Sequence, residues 1–370
     1  MNILVTGSGG FIGRNLVAWL KRRDNVTVIP FDLGNTPAEL DAGLAKADWV
    51  FHLAGVNRPT SESEFQSGNT DFTKKICNRL LKVGRAVPML MTSSIQAALD
   101  NPYGISKRQA EQAVKAYSRQ SGAPVMIYCL KNVFGKWCHP NYNSVVATFC
   151  YNTAHDLPIA ISDLDRELEL VYIDDVVYSI TRYLDTAVLK TITNLEVEPS
   201  YKITLGHLAD RIQSFREMRK TLQVPNFADD FTRKLYATFL SYLEPKDFAY
   251  TLEQRCDERG CLAEFVKSSP FGQVFISRTH PGITRGNHYH HTKTEKFLVL
   301  EGKAVIRFRS ILDDEVIEYR ITGEDFRVLD IPPGYTHSIE NVGKTELVTL
   351  FWASEIFNPT QSDTNDLVVL

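Results

Sequence analysis

Two groups of residues in this chain have the types and spacing to do chemistry. Tyr103 and Lys107 stand four apart in the run YGISK. On a helix, positions i and i+4 share a face, so the ammonium sits beside the phenol, favours phenolate and lowers the tyrosine pKa. A phenol tuned in this way can pass a proton to a carbonyl oxygen as hydride arrives, which is general acid catalysis. Upstream, the run TSS ends on Ser94, whose hydroxyl could bond the same oxygen, with Ser93 as the lesser candidate. The second group lies far along the chain, in GNHYHHTKTEKF. His288 and His290 are two apart, so on a strand both face one side. Glu295 follows, and IPPGYTHSIEN adds His337. Two or three imidazoles with a carboxylate suit a borderline divalent cation such as zinc. His291 alternates to the opposite face and is left out of the set.

A third group works through its backbone. ILVTGSGGFIGRNL places Gly7, Gly10 and Gly13 three apart, after one apolar run and before a helical one. Such glycines permit a tight turn and let the chain approach a pyrophosphate at a helix N-terminus, where amide dipoles favour an anion. A second apolar run closes on Asp32, about 20 residues on, where an acid holds the ribose 2′-hydroxyl of NAD and disfavours the 2′-phosphate of NADP. Gly34 or Asn35 could fill that position instead, with Asp32 only starting a loop.

These residues need elements to hold them. NILVTG, VTVIPFD, WVFHLAG, PMLMTSS and PVMIYCLK read as short buried strands, and RNLVAWLKRRD and SKRQAEQAVKAYSRQSG read as helices between them. That alternation predicts βαβ units and a doubly wound parallel sheet of the Rossmann type. Residues 136 to about 243 are less regular and could cap the sheet and shape a substrate cleft. Beyond the turn at Glu244-Pro245-Lys246 the texture changes to short strands separated by turn residues, with no convincing helix. This predicts an all-β barrel or sandwich. The expected domains are therefore 1–245 and 246–370, as a chain of 370 residues already suggests.

Composition narrows the partners. The net charge of −3 argues against nucleic acid, which calls for a basic face. Arg211, Arg216, Arg219 and Lys220 read as a solvated helix face. Six scattered cysteines form no secreted disulfide framework, and the spacing of the close pair Cys256 and Cys261 fits no metal motif. No apolar run approaches the roughly 20 residues of a membrane span, and the first residues lack the pattern of a signal peptide. The expected location is cytoplasmic.

TGSGGFIG, HLAG, TSS, YGISK, NVFG and YIDDV match, in order, the landmarks of the extended short-chain dehydrogenase/reductase (SDR) family, which the first 240 or so residues resemble. The resemblance implies NAD(P) binding and action on a nucleotide sugar. By it, Gly7, Gly10 and Gly13, with Phe11 and Ile12 between them, hold the pyrophosphate. Leu53, Ala54 and Gly55 line the adenine and ribose side, and Asn69 supports the helix beside the site. Ser94, Tyr103 and Lys107 are the catalytic set. Two departures stand out: the Ser94–Tyr103 interval is short for the family, and Lys131 stands where many members carry arginine.

The distal residues resemble the cupin superfamily. Gly282, His288, His290, Glu295 and Gly302 match its first motif, and Pro332, Gly334, His337 and Asn341 its second, with Gly323 displaced from the usual opening glycine. Cupins acting on sugars epimerise centres next to a ketone, by proton removal and return from the other face. Tyr335, His280 and His291 are candidates for the base.

The whole chain is similar to bifunctional epimerase-reductases of bacterial capsule and O-antigen biosynthesis. That similarity implies epimerisation at carbon 3 of UDP-2-acetamido-2,6-dideoxy-L-arabino-hexos-4-ulose, then NADPH-dependent reduction, with NADH admitted by Asp32. The product would be UDP-N-acetyl-6-deoxy-L-talosamine, a precursor of UDP-N-acetyl-L-fucosamine, made by a homodimer. The alternative is a plain 4-keto reductase whose cupin only dimerises the chain. A non-catalytic sugar sensor is disfavoured by the intact Ser94, Tyr103 and Lys107.

Overall fold

In β1 (Asn2–Thr6), Ile3 and Val5 enter one apolar cluster and Leu4 another, as the period of two in a strand requires. This strand anchors the first unit of a computed structural model that describes residues 1–185 and 192–370. β2 (Thr27–Phe31), β3 (Trp49–His52), β4 (Met89–Ser94), β5 (Val125–Leu130) and β8 (Ile192–Leu195) join it in the order β2-β1-β3-β4-β5-β8. Every pairing in that sheet is parallel. β6 (Asn132–Phe134), β7 (Glu167–Tyr172) and β9 (Ser200–Thr204) form a separate small sheet. The irregular stretch after residue 136 thus supplies the sixth strand of the main sheet and two strands of the small one.

Helices cover both faces. α1 (Phe11–Leu20) and α7 (Ile173–Thr181) pack on one, through Leu16, Leu20, Val176, Val177 and Ile180. α2 (Pro37–Lys46), α4 (Phe72–Val83) and α5 (Pro102–Ser121) pack on the other, through Leu40, Leu44, Ile76, Leu80, Val114 and Tyr117. Between α2 and α4, the short α3 (Ser63–Phe65) runs into a π-helical turn, Gln66–Asp71, that buries Asn69 and Thr70. Local signals set the ends. Thr36 and Glu39 form a reciprocal capping box ahead of α2, the arrangement that satisfies two orphan donors at once. Asn101 caps α5 by accepting from the Gly104 N–H, Pro102 opens the helix, and Gly122 closes it at φ +74°.

α6 (Val145–Ala154), α8 (Leu205–Thr221) and α9 (Asp230–Leu240) are the remaining α-helices among the described residues. Two compact units result: Met1–Gln213 with Lys234–Leu243, and Ser214–Arg233 with Glu244–Leu370. Residues 214–233 group with the second unit, whereas a single cut at 245 assigns them to the first. No helix among the described residues is long and apolar enough to cross a membrane.

The second unit is antiparallel and all-β apart from that segment. One sheet runs β10 (Gln254–Asp257), β11 (Gly260–Ser268), β12 (Gly272–Thr279), β19 (Leu347–Ala353), β14 (Glu295–Glu301), β17 (Val328–Ile331). The other runs β16 (Val316–Thr322), β15 (Lys303–Ser310), β18 (Tyr335–Asn341), β13 (Thr284–Tyr289), β20 (Asn365–Asp366). Phe297, Val299, Leu347 and Phe351 of the first meet Ile306, Phe308, Ile321 and Ile339 of the second in one core. Cys256 and Cys261 face each other across the β10–β11 hairpin and form a disulfide, with Cα atoms 4.1 Å apart. Their spacing in the chain had pointed to no such bond.

Candidate active sites

The order of the parallel sheet reverses at β1, so the crevice beyond the carboxyl ends of β1 and β3 is where this fold places a dinucleotide. The glycine run lies there. Gly7 has φ +70°, and a Cβ on it would lie 2.7 Å from the Ala54 nitrogen. A Cβ on Gly13 would lie 2.0 Å from the Gly7 carbonyl oxygen. Both positions therefore exclude larger residues. Gly10 is the N-cap of α1, and no side chain caps that end, so Phe11, Ile12 and Gly13 form a first turn whose amides suit an anion. Asp32 follows β2 directly. Its carboxylate accepts from the Gly9 N–H and, at 2.8 Å, from the Leu33 N–H, while Asn35 supports its backbone. The Asp32 carboxylate itself thus stands at the tip of β2.

Leu53, Ala54 and Gly55 leave the end of β3, the Leu53 N–H bonding the Thr6 carbonyl at 3.1 Å. Asn69 clamps the loop beyond them. Its Oδ1 accepts from Val56 N–H at 2.7 Å, and its Nδ2 donates to the Val56 carbonyl and to Ser106 Oγ, both at 2.9 Å. Ser106 is the neighbour of Lys107, so this one amide ties the cofactor crevice to α5. Beneath it, His52 is wholly buried between Thr6 Oγ1 at 2.7 Å and Thr73 Oγ1 at 2.8 Å.

Tyr103, near the start of α5, has Ser94, at the end of β4, beside its phenol. Ser93 is turned away and donates to Glu111, which separates the two serines that the sequence left as candidates. Lys107 is buried, and its Nζ donates to the Thr92 carbonyl at 2.7 Å. Burial pulls its pKa down to about 8, against the pull of Glu111. The tyrosine differs from the expectation. Burial raises its pKa, opposed only by the Ser94 hydroxyl, because the lysine is turned to the Thr92 carbonyl. Lys131 is also engaged, by Glu169 at 2.9 Å, Glu198 at 3.1 Å and Ser200 at 3.0 Å.

In the second unit, His288, His290, Glu295 and His337 come together, with one donor atom of each within 4.8 Å of the others. A β-bulge brings this about. β13 pairs Gly286 with Ser338 and His288 with His337, leaving Asn287, at φ +61°, as the extra residue. Ring centroids of His288 and His337 lie 4.6 Å apart. The Nδ1 atoms of His290 and His337 turn to the carbonyls of Asp363 and Tyr335, so Nδ1 carries the proton and Nε2 the lone pair. Both Nε2 atoms are buried without a hydrogen-bond partner and approach Glu295 Oε2 at 3.5 Å. Orphaned buried lone pairs converging on a carboxylate are what a divalent cation would satisfy. Burial, assisted by His337, pushes His288 down to about 4, in its neutral ligating form. Burial alone would raise the Glu295 pKa, but the Lys293 ammonium at 3.4 Å opposes it and favours the ionised carboxylate.

Of the three residues considered as a base, His280 lies at the wrong end of the barrel. β12 pairs Gln273 with Ala353, which also faces Glu295, and Thr279 with Leu347, so His280 follows the strand end remote from Glu295. His291 is exposed and its ring packs edge-on against Tyr289. Tyr335 shares the inner face of β18 with His337 and packs against the core.

The chain belongs to the NAD dependent epimerase/dehydratase family, which it matches over residues 3–195. Residues 255–365 match the polysaccharide biosynthesis C-terminal domain. The UDP-2-acetamido-2,6-beta-L-arabino-hexul-4-ose reductase of Pseudomonas aeruginosa is 45% identical over 98% of both chains. The crystal structure of the capsular polysaccharide assembling protein CapF from Staphylococcus aureus superposes over 100% of both chains, with TM-score 0.92 and 44% identity. The spore coat polysaccharide biosynthesis protein SpsL of Bacillus subtilis is 27% identical over 30% of this chain and 81% of its own.

Proposed function

We propose that the chain is a bifunctional nucleotide-sugar enzyme, with a reductase in residues 1–245 and a cupin epimerase in 246–370. The substrate would be UDP-2-acetamido-2,6-dideoxy-L-arabino-hexos-4-ulose, epimerised at carbon 3 and reduced at carbon 4 to UDP-N-acetyl-6-deoxy-L-talosamine. The name of the Pseudomonas relative supports the 4-keto sugar, and that of the Staphylococcus relative supports capsule assembly. The observation that carries the reductase is Asn69, whose amide holds both the loop after Gly55 and the Ser106–Lys107 turn of α5. It ties the cofactor crevice to the helix that bears Tyr103.

A nicotinamide cofactor bound along Gly7–Gly13 would supply the hydride. Residue chemistry does the rest. Burial keeps the Tyr103 phenol protonated, ready to give its proton to the oxygen at carbon 4. Ser94 orients that oxygen and Lys107 favours the phenolate left behind. NADPH is the cofactor implied by the resemblance, and Asp32 leaves room for NADH.

In the epimerase, His288, His290, Glu295 and His337 would hold the metal, probed most simply as zinc. Such an ion would polarise the ketone or brace the barrel. Tyr335 is the one considered base on the inner face with His337 and would move the carbon-3 proton. A homodimer is supported by the outer face of the six-stranded sheet, where Ile276, Leu350 and Leu298 pair side by side, next to Val274 and Trp352. Nucleotide sugars and reduced nicotinamides are cytoplasmic pools, which supports that location.

The test is NMR and mass analysis of the product from a UDP-4-keto-6-deoxy HexNAc, with NADPH and with NADH. The reading expects deuterium from solvent at the carbon next to the ketone without any cofactor, then cofactor oxidation. Absence of solvent exchange would remove the epimerase half; absence of oxidation would remove the reductase half.

A further inference from the structure

The histidines and Glu295 are joined by a loop, His291–Thr294, whose shape depends on a residue 70 positions further along. The Asp363 carboxylate accepts from three successive amides, His291 at 3.0 Å, Thr292 at 2.8 Å and Lys293 at 2.9 Å. Thr292 Oγ1 adds a fourth donor at 3.0 Å. Successive N–H groups aimed at one anion form a nest, a concavity that binds negative charge. Here the anion comes from the chain itself. The backbone carbonyl of the same residue accepts from His290 Nδ1. A carbonyl can only accept, so the contact fixes the tautomer that leaves Nε2 free to ligate, an outer contact on which metal-binding histidines depend.

The segment around Asp363 is itself pinned. Asp366 pairs with His288 and Asn365 with Tyr289. The Leu367 N–H bonds the Asn287 carbonyl at 2.9 Å, at the bulge. Thr336 Oγ1 donates to the Leu367 carbonyl, and Arg309 holds the carbonyls of Val368 and Val369 at 2.8 and 3.0 Å. Lys293 bridges Glu295 Oε1 and Thr364 Oγ1, both at 3.4 Å. Residues 363–369 thus touch the β13 bulge, the His290 ring and the loop that leads to Glu295.

The geometry points to Asp363 as a positioning residue for the metal site, fixing the His290 ring through its carbonyl and the Glu295 approach through its carboxylate. This rests on the reading that the cluster binds a divalent cation. The carboxylate sets the loop, and its removal frees both ligands to move while leaving all four in the chain. Contacts of this kind are worth about 10–100-fold in metal affinity.

The experiment uses full-length protein, stripped of metal, as wild type, Asp363→Ala, Asp363→Asn and His288→Ala. Zinc affinity is read by competition with a chromophoric chelator, and geometry from the visible spectrum at saturating Co²⁺. Hydrogen exchange of the His291, Thr292 and Lys293 amides is followed in the metal-free state. Asp363→Ala should weaken zinc binding by about 10–100-fold, alter the Co²⁺ spectrum and speed exchange at those three amides. Asp363→Asn keeps one acceptor oxygen and should fall between, and it decides by the same readings if the alanine variant does not fold. Faster exchange with zinc affinity and Co²⁺ spectrum unchanged overturns the positioning role. Unchanged exchange overturns the clamp itself. A wild type that binds neither metal removes the metal reading, and the positioning role with it, while the exchange data still report separately on the clamp.

Discussion

His52 offers a measurement of how tightly the crevice beneath the cofactor site is closed. The imidazole is wholly buried, and Thr73 Oγ1, which donates to the Asn69 carbonyl, is left to accept from Nε2–H. Nδ1 then accepts from Thr6. Burial first, and the Lys107 charge second, lower its pKa from 6.5 to about 3. The unfolded chain takes up that proton near 6.5, whereas the folded chain resists it down to about 3. Between those values the unfolded state binds more protons, so stability is full above 6.5 and falls with pH by about 1.4 kcal/mol per unit. At pH 5 the accumulated loss is about 2 kcal/mol. A His52→Gln variant cannot titrate, and every other group cancels in the comparison. Urea unfolding followed by intrinsic tryptophan fluorescence should show the wild-type advantage over the variant shrinking by about 2 kcal/mol from pH 8 to pH 5. A gap that does not change with pH, or an imidazole titrating near 6.5 by NMR, would refute the closed crevice.

Three further outcomes follow from the same geometry. Gly13→Ala, with its Cβ driven against the Gly7 carbonyl, should weaken NADPH binding by at least about tenfold in a fluorescence titration, with the circular dichroism spectrum kept. Tyr103→Phe should slow NADPH oxidation by about 10²–10⁴-fold while solvent deuterium still enters the sugar, and equal loss of both would merge the two activities into one site. Glu295→Gln, which removes the charge facing His290 and His337, should abolish deuterium incorporation and zinc retention by metal analysis, yet spare reduction of a substrate already epimerised.

The parts of this protein that were legible in its sequence are those whose chemistry fixes a short spacing. Gly7, Gly10 and Gly13 share one turn, and Tyr103 and Lys107 one turn of helix, so neighbouring letters suffice to place them, though not to show that Lys107 turns to the Thr92 carbonyl. The sequence left Ser93 beside Ser94 as a lesser candidate, and what sets them apart is the Glu111 partner of Ser93, which lies 18 residues away. What stayed hidden depends on residues brought together from afar. Lys131 meets Glu169 and Glu198 only because β7 and the approach to β9 pass beside it. The Lys107 partner is a backbone carbonyl, which leaves no mark in residue type. His280 looked eligible as a base because the letters do not tell at which end of a strand a side chain sits. Asp363 had no motif at all, since its partners are main-chain amides. Cys256 and Cys261 pair because a two-residue hairpin turn sets them opposite, a register that spacing alone does not single out.

The extra residue at Asn287 carries a consequence for how this site could ever change. Without it, β13 would keep the alternation set by Arg285, which faces Ile339, and Tyr289 and His291 would occupy the inward positions. One inserted residue reverses that parity for everything downstream, so His288 and His290 point inward. Replacing one side chain by another cannot undo this reversal; only losing or gaining a residue can. Substitution can therefore tune the inward imidazoles one by one, but only an insertion or deletion within the strand exchanges the inward and outward sets together.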